Sequence, residues 1–270
     1  MKGKKIIKTA KKSMKILKSG KIQIGDSKID LRPIISESSE SAVISRLDGI
    51  ISKEEAAVED SKCNIEYMLQ PQLKSAELSS IADKKPYYDT VVIILPKKAS
   101  ISVFDFLNTG TIGDLLRSST LSISYTKVKK EWVNLNKDDE TEFTNILYIP
   151  DVFVFLDPES GKFKAKPYRV NVLICAVPSY KKIAAASETE IERSTALMRM
   201  IGDTLEAGIR LGCKELVIDP FQIKALRKDV SETSKLWNTA VSSQRIQNNF
   251  DEITFSFISD GEFAVFAGNK

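Results

Sequence analysis

The chain has 270 residues, 42% of them hydrophobic, a formal net charge of +4 and no histidine. Without imidazole, Ser-His-Asp and Cys-His catalysis, histidine proton shuttles and nearly all zinc sites are excluded, so any chemistry must run on carboxylates, lysines, cysteine or oxygen-held metal. No run approaches the roughly 20 apolar residues of a membrane helix, no secretory signal is recognisable, and three cysteines without metal spacing (Cys63, Cys175, Cys213) indicate a reducing, intracellular setting.

Residues 1–21 carry nine lysines and no acid. Within them Ile6, Ile7, Ala10, Met14 and Leu17 recur at helical spacing, which predicts an amphipathic helix over 4–18 ended by Gly20. Lys4, Lys5, Lys8, Lys11, Lys12 and Lys15 then have two readings: a surface for nucleic acid, an anionic membrane surface or an acidic partner, or a solvated helix face. KIQIGDSKIDL alternates around Gly25-Asp26 and predicts a hairpin. SESSESAVISRL reads as a serine-rich loop and a helix start, and residues 46–85 as short helices or an insert around Pro71.

TVVIIL is the first run with the signature of a strand buried on both faces. Asp105, Asn108, Gly110 and Gly113 mark a loop after it, and LLRSSTLSISY a short helix turning into a strand. A polar connection, a strand pair in NILYIPDVFVFLDP and a loop in ESGKFKAKP lead to the segment Tyr168–Phe221. That segment reads strand, helix, strand: YRVNVLICAVP, then a helix with Leu197, Met198, Ile201, Leu205 and Ile209 on one side, then KELVIDPF. A βαβ unit of this kind has parallel strands, and ligands sit beyond their carboxyl ends, here at Ala176–Tyr180 and Ile218–Lys224. DVSETSKLWNTAVSSQRI is the last predicted helix, and FDEITFSFISDGEFAVFAG reads as a hairpin or paired strands. The fold class is α/β, a mixed sheet between helical layers. Residues 1–85 form a packed N-terminal extension of helix, hairpin and insert, and residues 86–270 the main body.

In this order the segments resemble the microbial-type poly(ADP-ribose) glycohydrolases, which are macrodomain proteins with an added N-terminal segment. TVVIIL, LLRSSTL, YIPDVFVFLDP, VNVLICAVPS and LVIDP carry the resemblance. It implies a three-layer α/β/α macrodomain-like body and an ADP-ribose ligand. The departures lie in the loops. Thr111, Ile112 and Gly113 stand where the family has glutamine and two glutamates, and no glycine run precedes them. Asp105 and Asp114 are the acids left nearby, Asp114 also reading as a helix cap. IDPFQIKALRKD replaces a glycine-rich phosphate turn, with Asp219 and Phe221 set against a diphosphate. Ser179, Asp219 and Lys224 line what remains of the pocket.

From those departures the expected function is a non-catalytic structural or assembly subunit with protein partners, at home in a large-DNA-virus or phage particle, needing no cofactor or metal. The alternative is an ADP-ribose or nucleotide-binding module, or a residual ADP-ribose glycohydrolase.

Overall fold

The computed structural model describes residues 2–50, 62–69, 88–97, 99–102, 105, 107, 110–137, 144–158, 160–178 and 189–268. Its frame is a seven-stranded sheet in the order β3-β6-β7-β5-β8-β9-β4. The strands are β3 (Val43–Arg46), β4 (Asn64–Leu69), β5 (Tyr88–Pro96), β6 (Asn145–Leu156), β7 (Phe163–Val177), β8 (Glu215–Ile218) and β9 (Glu252–Phe257). β7, β5, β8, β9 and β4 run parallel, while β6 is antiparallel to both β7 and β3. A separate hairpin, β1 (Lys21–Ile24) with β2 (Ser27–Asp30), turns at Gly25-Asp26 as its alternation predicts.

The period of two along each strand sorts side chains into two cores. Val92 and Ile94 of β5, with Leu173, Cys175 and Val177 of β7, face one core. Val91 and Ile93, with Val172, Ile174 and Ala176, face the other. The first core is covered by α5 (Glu190–Arg210), α7 (Val230–Val241), the short α8 (Gln244–Gln247) and α9 (Asp260–Gly268), which bring Leu197, Ile201, Leu205, Trp237, Ile246 and Phe266. The second is covered by α3 (Thr111–Ser118) and α4 (Leu121–Lys137), with Ala10 of α1 (Lys2–Ser19) beside them. Burial on both faces is why β5 and β7 read as continuous apolar runs. The three-layer α/β/α fold class follows directly.

The central βαβ unit forms as the sequence predicts, but β5 lies between its two strands, so α5 crosses over β5. A capping box at Thr189 and Glu192 starts α5. Elsewhere local patterns mislead. The serine-rich loop is helix α2 (Leu31–Glu40), capped by Asp30, and the expected helix start after it is β3. Most of the expected strand and polar connection after LLRSS is α4. NILYIPDVFVFL is one strand, KFKAK is its partner rather than a loop, and the chain ends in helix α9 rather than paired strands. The proposed insert yields β4, with residues 51–61 and 70–87 outside the described set. Both outermost strands, β3 and β4, thus come from the first 85 residues.

Candidate ligand site at the carboxyl ends of the central strands

The exits of three neighbouring parallel strands, β7, β5 and β8, form one mouth: β7 and β5 end level with each other, and β8 stops earlier, beside Val92. β5 stops at Pro96, which pairs with Val177. The next N–H, of Lys97, donates to Val177 O at 2.7 Å, and the N–H of Ala99 turns back to Pro96 O at 2.9 Å. Lys97 is buried at this exit.

The loop after β8 is held by three locks. The Asp219 carboxylate accepts the N–H of Phe221 at 2.9 Å, an Asx turn. Trp237 Nε1–H donates to Pro220 O at 3.2 Å. The Gln222 amide then lies along β5, its Oε1 accepting the N–H of Ile94 at 2.9 Å and its Nε2 donating to Val92 O at 2.8 Å. β8 pairs with β5 only as far as Val92, so the side chain continues the ladder after the strand has stopped. A further wall comes from α3. Gly110, at φ 111°, begins that helix with no side-chain cap. A Cβ there would lie 3.9 Å from Ile258 Cδ1, which puts the positive end of α3 against the exit of β9.

Phe221 and Asp219 were expected to oppose a diphosphate, and the position of the Phe221 ring corrects the first of these. Phe221 is fully buried, its ring 6.0 Å from Phe266 and 6.3 Å from Phe257 between centroids. Its bulk belongs to the core. Asp219 is buried, and its carboxylate accepts from its own loop.

Asp114 is not a cap: its carboxylate binds Arg117, whose side chain is only 2% exposed. Asp105 accepts the N–H of Ser102 at 2.6 Å and remains half-buried. Ser179 lies outside the described residues, as does the Lys224 side chain, although the Lys224 backbone opens the short helix α6 (Lys224–Arg227) beside the mouth. Arg227 of that helix pairs with Glu262 of α9 at 3.1 Å. Of the six lysines singled out on α1, Lys4, Lys5, Lys8, Lys11 and Lys15 are exposed, and Lys12 donates to Gly161 O at 2.7 Å. Sequence reasoning missed Gln222 and Lys97. The available signal for Gln222 was a single amide among apolar residues directly after a proline turn. Among the described residues no helix is long and apolar enough to cross a membrane, and no three acids or cysteines gather to hold a metal ion.

No family model matches the sequence, and no curated protein does. Solved structures do. Poly(ADP-ribose) glycohydrolase from Thermomonospora curvata superposes with a TM-score of 0.77 over 98% of this chain and 99% of its own, at 17% identity. The same enzyme bound to the inhibitor ADP-HPD gives 0.73 over the same coverage and identity. The glycohydrolase from Deinococcus radiodurans in complex with ADP-ribose gives 0.64, at 15% identity, over 87% of this chain and 96% of its own. These matches overturn the expectation of a non-catalytic virion or phage subunit, because the structures that share nearly the whole chain are enzymes. This chain has the macrodomain-like α/β/α fold of the microbial poly(ADP-ribose) glycohydrolases.

Proposed function

We propose that the chain recognises an ADP-ribosyl group at the mouth formed by Lys97, Asp219–Gln222 and the start of α3. The observation that carries this reading is the near-complete overlap with glycohydrolases solved with ADP-ribose or ADP-HPD bound. Two features of the mouth support it. The turn after β8 is preorganised by Asp219, Gln222 and Trp237, and its bulkiest side chain faces the core. The positive end of α3 favours an anion.

A second reading, hydrolysis of the glycosidic bond, is favoured by Asp105. Such a reaction needs a carboxyl group that protonates the leaving oxygen while water adds to the anomeric carbon, giving free ADP-ribose and the acceptor hydroxyl. Asp114 is committed to a buried arginine, whereas Asp105 sits half-buried in the connection between β5 and α3. Calorimetry with ADP-ribose tests the first reading, with saturable one-to-one binding expected. Release of ADP-ribose from poly(ADP-ribosyl)ated protein tests the second, with Asp105→Asn expected to abolish release and retain binding. Absence of any heat at millimolar ADP-ribose would overturn both.

A further inference from the structure

The sharpest charge feature of the molecule lies away from the mouth. At 100° per residue, Lys4, Lys8, Lys11, Lys15 and Lys18 of α1 fall within an arc of about 80° and a length of about 21 Å. All five are exposed. The buried residues of the helix, Thr9, Ala10, Ser13 and Leu17, lie on the opposite side. The helix is therefore anchored by one face and offers the lysine row outward. No acid lies in α1, and none of the five lysines carries an ion pair among the described residues.

Lys12 leaves the row and joins the helix to the β6–β7 hairpin. Its ammonium donates to Gly161 O and lies 4.3 Å from the centroid of the Phe163 ring. Gly161 has φ 66°, and a Cβ there would meet Thr9 Oγ1 at 2.8 Å, so only glycine allows this approach. Lys162, next to Gly161, and Lys21 and Lys28 of the β1–β2 hairpin are exposed as well. Two acids of these hairpins are engaged, Asp157 accepting the N–H of Ser160 at 2.6 Å and Asp30 being bound by Arg32, while Asp26 at the β1–β2 turn is exposed.

We propose that this row is a binding surface for the phosphodiester backbone of double-stranded DNA. Lysine heads are point charges that read phosphate and not bases. Their mean spacing of about 5 Å suits a strand that carries one charge per roughly 3.4 Å of duplex axis. Single strands call for aromatic platforms. α1 has no aromatic residue, and the Phe163 ring is covered by Lys12. A membrane surface calls for a broad apolar face free to insert, and here Ala10 and Leu17 are spent on the protein core, which leaves Ile7 and Met14 as the exposed apolar residues of the helix.

The test is fluorescence anisotropy of the full chain on a 24-base-pair duplex across a salt series. Engagement of five lysines gives a slope of log affinity against log salt of about −4.5, and Lys8→Gln with Lys11→Gln and Lys15→Gln should bring it to about −1.8. A control with the same charge change elsewhere, Lys130→Gln with Lys137→Gln and Lys235→Gln, should leave the slope unchanged. The proposal fails if the control triple weakens binding as much as the row triple. It fails equally if single-stranded DNA, poly(ADP-ribose) or anionic phosphatidylserine vesicles bind more tightly than the duplex, or if the wild-type slope is shallower than about −1.

Discussion

Gln222 supplies with one amide what a longer β8 would supply with its backbone. Removing it strands the Ile94 N–H and the Val92 carbonyl at the end of the central strand. Gln222→Ala should lower stability by about 1–3 kcal/mol in urea unfolding, since each buried group left unpaired carries its desolvation cost. The same change should weaken ADP-ribose binding, because the end of β5 is one wall of the mouth. Asp114 calls for the opposite diagnosis. It neutralises a guanidinium that is nearly fully enclosed, and removing one partner of such a pair costs about 3–5 kcal/mol. Asp114→Asn should therefore lose stability, and any loss of activity should track the unfolded fraction. Intact stability with abolished turnover would instead make Asp114 a catalytic acid. The thiols report on burial in a simpler way. Desolvation pushes Cys63 up to about 12, with Asp251 and Glu252 adding to the shift, and Cys175 rises for the same first reason. Both should resist alkylation at pH 8 in the folded chain and react in urea.

Helix α5 is tied down at its C-terminal end by a charged clip. Glu206 accepts from Arg210 at 2.8 Å and from Arg245 at 2.7 Å, and Arg210 reaches on to the carbonyls of Leu47 and Ile50. Burial alone would raise the Glu206 carboxyl, but the hydrogen bonds from Arg245 and Arg210 outweigh it and hold it below the usual glutamate range. A depressed carboxyl stabilises the fold above its unfolded value near about 4.3 and loses that contribution as the pH falls through the folded value. Glu206→Gln should accordingly cost about 1 kcal/mol at pH 7, discounted for partial exposure, and the gap to wild type should close below about pH 4.3. Urea midpoints at pH 7 and pH 3.5 check both ends. What could be read from the sequence at this scale follows burial. β5, β7 and α5 were legible because both faces of the strands and one full face of the helix are apolar. β3 (VISR) and β4 (NIEYML) were not, because short mixed segments become strands only through partners far along the chain. The ends of the central strands were legible too, yet the side on which Phe221 lies depends on an Asx turn that composition does not reveal.

Over the whole molecule, the sheet is closed at both edges by strands from the first 85 residues. A chain reduced to residues 86–270 would expose β6 on one side and β9 on the other as long unpaired ladders. It should be insoluble or aggregate on refolding, whereas removing residues 1–5 should leave the thermal transition nearly unchanged, since Ala10 and Leu17 still anchor α1. Light scattering of the two truncated proteins decides this. The β4–β9 pairing has a further consequence for how the protein comes into being. Asn64 of β4 pairs with Glu252, 188 residues later. On a ribosome adding about 5–20 residues per second, β4 waits roughly ten to forty seconds for its sheet partner among the described residues to be made. During that interval a nascent chain carries an unpaired strand, with Ile65, Tyr67, Met68 and Leu69 lacking their mate, so the last strand synthesised decides whether one of the earliest is sheltered, and nascent-chain chaperones have their longest opening among the described strand pairs at β4.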